Sequence, residues 1–289
     1  MRTLPLTGDG QIPVLGLGTW RMGEDRGQHP TELAAIRSAI AMGYRLIDTA
    51  EMYGEGGAEL LVGEAIAQAV RAGDVKREEL FVVSKAYPHN AGREGLPAAC
   101  ACSLERLGLD YLDLYLLHWR GEFPLEETAA AMRALVAAGR IRHWGVSNLD
   151  TDDMEELAAV CGDGGGKLDC AVNQVYFSVG ERGPEFSLLP WQQQRAMPLM
   201  AYSPIDQGAL AHRDAGLAKL AKGLGISAAQ LALAWVLSRP GVVAIPKAVR
   251  AAHLRENLAA AQLQLSPETL AEIDRLHPPP ARKRPLAMI

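Results

Sequence analysis

Eight short apolar, β-branched runs recur along the chain, and their number limits the folds open to it. They are "VLGLGTW" (14–20), "RLID" (45–48), "LFVVS" (80–84), "DLYLLH" (113–118), "IRHWGVS" (141–147), "CAVNQ" (170–174), "MPLMAYS" (197–203) and "GVVAIP" (241–246). Helical patterning fills most of the intervals. Ala58, Leu61, Val62, Ala65, Ile66 and Ala69 follow the i, i+3, i+4, i+7 spacing, and Leu231, Ala234, Trp235 and Ser238 follow it less cleanly. "SPETLAEIDRL" (266–276) opens as a helix should, with Ser266 as cap and Pro267 in the first position. Strand then helix, eight times over, predicts a parallel (β/α)8 TIM barrel of the α/β class, a single domain over 1–289. A doubly wound sheet is the alternative, but no GxGxxG joins a strand to a helix. "TLPLTGDGQIPVLG" predicts an N-terminal β-hairpin turning at Asp9-Gly10, and 266–289 an extra C-terminal helix and tail. "GDGGGK" (162–167) predicts a flexible turn rather than a domain boundary.

A chain of 289 residues that is 48% hydrophobic can bury one large core. Its net charge of -5 disfavours a nucleic-acid partner, which would select a basic face. Cys100, Cys102, Cys161 and Cys170 form no CxxC pair, so reduced thiols in a cytoplasmic protein are expected. "MRTLPLTGDG" lacks an apolar signal core and no run reaches membrane-spanning length, so no membrane partner is expected. The seven histidines show no paired spacing, so no metal is expected. "CGDGGGKL" fails as a P-loop and "GVSNL" fails as a nucleophile elbow. A monomer acting on a small molecule is expected.

In a barrel of this kind, chemistry collects at the carboxyl ends of the strands. The run ends supply Asp48, Lys85, His118, Ser147 with Asn148, Gln174, Tyr202 with Ser203, and Lys247. Gly18, Thr19 and Trp20 end the first run: Gly18 lets backbone approach closely, and Trp20 and Trp119 suit the walls of a substrate pocket. "RLIDTAEMYG" (45–54) then reads as a core strand delivering an acid to the barrel mouth, with Tyr53 on the loop that follows.

Three stretches carry a resemblance: "GYRLIDTAEMYGEGGAELLVGEAI" (43–66), "LGLDYLDLYLLHW" (107–119) and "IPKAVRAAHLRENL" (245–258), with "GVSN", "NQ" and "AYSP" in order between them. Together they resemble the aldo-keto reductases over nearly the whole chain. The chain's short length, "LLPWQQQ" (188–194) and the "AYPHNAG" loop look most like the small bacterial members that reduce methylglyoxal and related aldehydes. The resemblance implies a catalytic tetrad of Asp48, Tyr53, Lys85 and His118, and NADPH as cofactor, with NADH at lower preference. It implies Ser147, Asn148 and Gln174 on the nicotinamide carboxamide and Tyr202 stacked on the ring. Ser203, Pro204, Gln207, Lys247 and Ala248 would follow the rest of the cofactor, with Glu256 and Asn257 at the adenine. The family's usual arginine is His253 here, and its serine or threonine after the lysine is Ala248. A bidentate contact to a 2′-phosphate is thereby lost, since histidine is mostly neutral at pH 7. The basic, proline-rich tail "PPPARKRPLAMI" (278–289) is either a solvated terminus or, as the resemblance implies, a segment folded over the barrel mouth.

The residue types suit carbonyl reduction. Hydride must come from a nicotinamide and a proton from a side chain. A free tyrosine is a weak acid, and the ammonium of Lys85 would favour its phenolate; Asp48 would hold that ammonium, and His118 would orient the carbonyl. Taken singly, Asp48 is a helix cap, Tyr53 a packed aromatic, Lys85 a strand-end charge and His118 a core histidine; only together do they make a site. The expected activity is NADPH-dependent reduction of small aldehydes or dicarbonyls. A keto-sugar or keto-acid reductase and a nicotinamide-binding regulatory barrel with little turnover are the alternatives.

Overall fold

The computed structural model describes residues 1–7, 10–161, 168–208 and 214–289. Two short strands, β1 (Thr3–Pro5) and β2 (Gln11–Pro13), pair antiparallel as the expected hairpin; Asp9 of its turn lies outside the described residues. The eight runs become the eight strands of one parallel sheet: β3 (Gly16–Gly18), β4 (Leu46–Asp48), β5 (Phe81–Ala86), β6 (Leu112–Leu117), β7 (Ile141–Ser147), β8 (Cys170–Tyr176), β9 (Leu199–Tyr202) and β10 (Val242–Ala244). Neighbours in sequence are neighbours in space throughout. Parallel bridges from Leu15 to Ala244 and from Gly18 to Lys247 close β10 back onto β3.

Side chains alternate across each strand, and the barrel has two apolar layers as a result. Leu46, Val83, Leu114, Leu116, Val172, Met200 and Val243 fill the interior, and Leu6 and Ile12 of the hairpin segment plug its base. Ile47, Val82, Tyr115, Leu117 and Val175 face outward into the larger core under the helices.

The helices are α1 (His29–Ala41), α2 (Gly57–Ala72), α3 (Gly95–Leu107), α4 (Leu125–Ala137), α5 (Thr151–Cys161), α6 (Leu188–Gln194), α7 (Ala215–Gly223), α8 (Ala228–Ser238), α9 (Ala251–Ala260) and α10 (Pro267–Leu276). The six periodic positions of α2 are all buried. In α8 the run Leu231 to Leu237 is buried on every side, so the helix has no polar face to give a clean period. Ser266 caps α10 by accepting from the Thr269 N–H at 3.2 Å. One helix was not expected. α7 lies between β9 and α8, and packs on α8 and α10. The expected turn at 162–167 lies outside the described residues. Among the described residues no single helix is long and apolar enough to cross a membrane; α7 and α8 pass on length and composition only as a pair bent by 88°.

Candidate active site

The alternation that fills the interior also places the rim. Two residues beyond an inward apolar side chain comes an inward polar one: Leu46 then Asp48, Val83 then Lys85, Leu116 then His118, Val172 then Gln174. Gly145 takes the same place before Ser147, where a Cβ would stand 2.7 Å from the Val172 carbonyl oxygen. The strands thus deliver their chemistry to one level at the mouth of the barrel.

At that level the Lys85 ammonium donates to Asp48 Oδ1 at 2.7 Å, to the Thr49 carbonyl at 2.9 Å and to the Tyr53 hydroxyl at 3.1 Å. Gln174 Nε2 donates to the other Asp48 oxygen at 2.8 Å. Lys85 and Asp48 are fully buried, and Tyr53 shows only 8% of its surface. Burial raises the Asp48 carboxyl against the opposing pull of Lys85. Burial works to lower Lys85, but Asp48 and Tyr53 outweigh it and hold the ammonium above its ordinary value. Burial also lifts the Tyr53 phenol; Lys85 pulls it down in the expected direction, but by less. The net effect corrects the simple expectation of a lowered phenol: Tyr53 keeps its proton at neutral pH, beside a cation that favours its release.

His118 meets the Tyr53 ring edge-on, with centroids 5.8 Å apart. Burial, then Lys85, holds its imidazole well below the ordinary range, so the ring is neutral. Its Nδ1 is buried without a hydrogen-bond partner. Trp119 packs beside it at 4.9 Å, and Tyr87 meets Trp119 edge-on.

Asp48, Tyr53 and His118 open onto a cavity of about 810 Å³ that runs across the barrel mouth. Ser147, Asn148, Gln174 and Tyr202 line it, already bonded to one another. Tyr202 donates to Asn148 Oδ1 at 2.9 Å, Ser147 donates to the Gln174 carbonyl at 2.8 Å, and the Asn148 amide donates to the His118 carbonyl at 3.1 Å. Tyr202 also stacks on Tyr176 at 5.7 Å. Asn148, Ser203 and Gln207 line the same space with positive φ of 59°, 47° and 53°. Such backbone costs roughly 1–3 kcal/mol per residue and gathers where a ligand is held. At the far end stand Lys247, His253, Glu256 and Asn257, with Gly18, Trp20, Trp119 and Pro204 also on the wall.

Three of the expected site residues stand back from the cavity surface. Lys85 is behind Tyr53, Thr19 gives its hydroxyl to the Asp48 carbonyl at 2.9 Å, and Ala248 is buried in the core. Other lining residues were not singled out from sequence: Arg21, Met52, Ile205, Ser227, Met288 and Ile289 among them. Ser227 carried a signal, because "SAAQ" is a capping box and Ser227 and Gln230 make both of its bonds at the start of α8. The tail does fold over the mouth. Lys283 pairs with Asp152 at 2.7 Å, Leu286 packs on the core, and Met288 and Ile289 reach the cavity.

A long anionic dinucleotide with a flat amide-bearing ring suits this space. Glycine backbone approaches at Gly18, amide and hydroxyl groups cluster near Tyr53, and the cations Arg21 and Lys247 lie along the wall with the carboxylate of Glu256.

Comparison with known proteins agrees with this geometry. The Aldo/keto reductase family model matches residues 14–278. Methylglyoxal reductase YeaE of Escherichia coli is 50% identical over 292 residues, covering 100% of this chain and 99% of its own. Glyoxal reductase of Bacillus subtilis is 35% identical, covering 95% and 92%. The crystal structure of an aldo/keto reductase from Klebsiella pneumoniae in complex with NADP and acetate superimposes with a TM-score of 0.91 at 47% identity, covering 99% of each chain. The chain belongs to the aldo/keto reductase family.

Proposed function

We propose that this chain is an NADPH-dependent reductase of small aldehydes and dicarbonyls, with Tyr53 as the proton donor. The observation that carries the reading is the Lys85 ammonium, 2.7 Å from Asp48 and 3.1 Å from the hydroxyl of Tyr53 at the edge of the cavity. A bound nicotinamide supplies the hydride that no side chain can provide.

The chain's own residues do the rest. Tyr53 gives its proton to the carbonyl oxygen as charge builds there, and the phenolate left behind forms next to Lys85. Asp48 keeps Lys85 ionised and aimed. His118, neutral, has one N–H to give the same oxygen, which orients the carbonyl and stabilises developing negative charge. Ser147, Asn148 and Gln174 offer donors and acceptors to the carboxamide, and Tyr202 a flat face to the ring. Lys247 offers a point charge to a phosphate. The names of the relatives, a methylglyoxal reductase and a glyoxal reductase, support short dicarbonyls as the substrate class, and the NADP held by the Klebsiella protein supports the cofactor.

The test is loss of absorbance at the reduced-nicotinamide band with purified protein, NADPH and a panel of aldehydes, ketones, keto-acids and sugars. Turnover highest on short dicarbonyls or aldehydes supports the reading. Binding of NADPH without turnover on any of the panel contradicts it.

A further inference from the structure

Behind the tetrad, on the helix side of the sheet, two buried carboxylates flank the loop that carries Tyr53. Glu51 precedes Tyr53 on that loop; its Oε1 accepts from the Tyr87 N–H at 2.5 Å and from Asn90 at 3.0 Å. Glu59 lies in the first turn of α2, has no exposed surface, and accepts from Ser84 Oγ at 2.5 Å. Ser84 immediately precedes Lys85 on β5. Both carboxylates pair with one cation from a third element. Arg106 of α3 donates from Nε to Glu59 at 2.6 Å, and its Nη2 lies 4.0 Å from Glu51. The loop also rests on the stem of this arginine: a Cβ on Gly56, whose φ is 88°, would stand 2.6 Å from Arg106 Cδ. Arg106 therefore touches the Tyr53 segment before the tyrosine, after it, and at the helix entry, while remaining outside the cavity.

We infer that Arg106 is a positioning residue for Tyr53, fixing the loop against β5 so that the phenol hydroxyl meets Lys85. The physical reason is charge balance under burial. Without the guanidinium, the buried Glu59 carboxylate loses its ion-pair partner, and the segment between it and Glu51 moves. A shift of the proton donor by about 1 Å is enough to cost up to about 10²-fold in rate. The inference rests on the reading of Tyr53 as the proton donor.

The test uses Arg106→Met, which keeps the stem and removes the charge. The expected result is a fall in kcat of about tenfold or more, with KM for aldehyde and for NADPH changed by less than about threefold. Amide hydrogen exchange should quicken in residues 49–57 and not in β7 or β8. Arg106→Met combined with Glu59→Gln, which withdraws the stranded charge while leaving a partner for Ser84, should regain at least about threefold of the lost kcat, since contacting residues couple. An unchanged kcat, a kcat loss matched by loss of NADPH affinity, or exchange in 49–57 no faster than wild type overturns the inference. Should Arg106→Met fail to fold, Arg106→Lys takes its place with a smaller expected loss and the same criteria. An inert wild-type protein would contradict the reductase reading instead, and hydrogen exchange would still decide the role of Arg106.

Discussion

The ammonium of Lys85 stands 2.7 Å from Asp48, and neither side chain has more than 2% of its surface in solvent. Isolated, either charge would be strongly disfavoured there. Together, with donors and acceptors from Gln174, Thr49 and Tyr53, they form an ion pair that the barrel interior surrounds. The pair contributes little to stability as such; what it provides is a cation fixed next to Tyr53.

Breaking it should cost more than never having it. Lys85→Met leaves Asp48 buried without its partner, and about 3–5 kcal/mol of stability should be lost. Lys85→Met with Asp48→Asn should recover most of that loss while remaining inactive. Urea melts of the three proteins, read beside turnover, check both halves.

His118 ties folding to pH. Its folded-state pKa is held low by burial and then by Lys85, while the unfolded chain titrates near about 6.5. Below that value the unfolded state binds the extra proton, so stability is fully present above about pH 6.5 and falls as the pH drops toward the folded value. His118→Gln should flatten this fall. The check is Tm at pH 7.5 and pH 5 for both proteins: the wild type should lose more on acidification. In activity, His118→Leu, which removes the N–H, should lower kcat/KM on aldehydes by about 10²–10³-fold, the range for removing one oxyanion donor.

Substrate size should follow the tail. Met288 and Ile289 reach the cavity, and Lys283 anchors the segment on Asp152. Methylglyoxal should be preferred over any steroid-sized ketone. Deleting residues 286–289 should narrow that preference by about tenfold, on the scale of a few lost apolar contacts. A bulky ketone used more efficiently than every short dicarbonyl by the intact protein would contradict this.

Lys247 and His253 share the far end of the cavity. Lys247→Met should lower the ratio of catalytic efficiency with NADPH to that with NADH, by about tenfold or more if one charge-assisted contact is lost. His253→Arg should raise the ratio, because a guanidinium can hold a phosphate with two parallel bonds. Steady-state kinetics with each cofactor read both, and a ratio unmoved by Lys247→Met would remove that residue from the phosphate site.

Much of this could be read from the chain because alternation ties composition to position. The eight runs became the eight barrel strands, and on β4, β5, β6 and β8 the polar residue two beyond an inward apolar one arrived at the rim. Four kinds of feature were not legible. α7 is short and lies between two segments that already account for a strand and its helix, so no count demanded it. Glu51, Glu59, Ser84 and Arg106 come from separate elements, and only folding brings their charges together. Met288 and Ile289 carry no pattern that distinguishes a tail over a pocket from one in solvent. The net upward shift of Tyr53 was hidden for a related reason: sequence names its neighbours but not its burial.

The measurement that bears most directly on the whole account is the turnover of Tyr53→Phe. The substitution removes one hydroxyl, keeps the ring beside His118 and leaves the Asp48–Lys85 pair in place. Single-turnover reduction of methylglyoxal by bound NADPH should slow by about 10² to 10⁴-fold, the contribution of a positioned general acid, while the Kd for NADPH changes by less than about threefold. A Phe variant that keeps more than about a tenth of the wild-type rate would contradict Tyr53 as the proton donor.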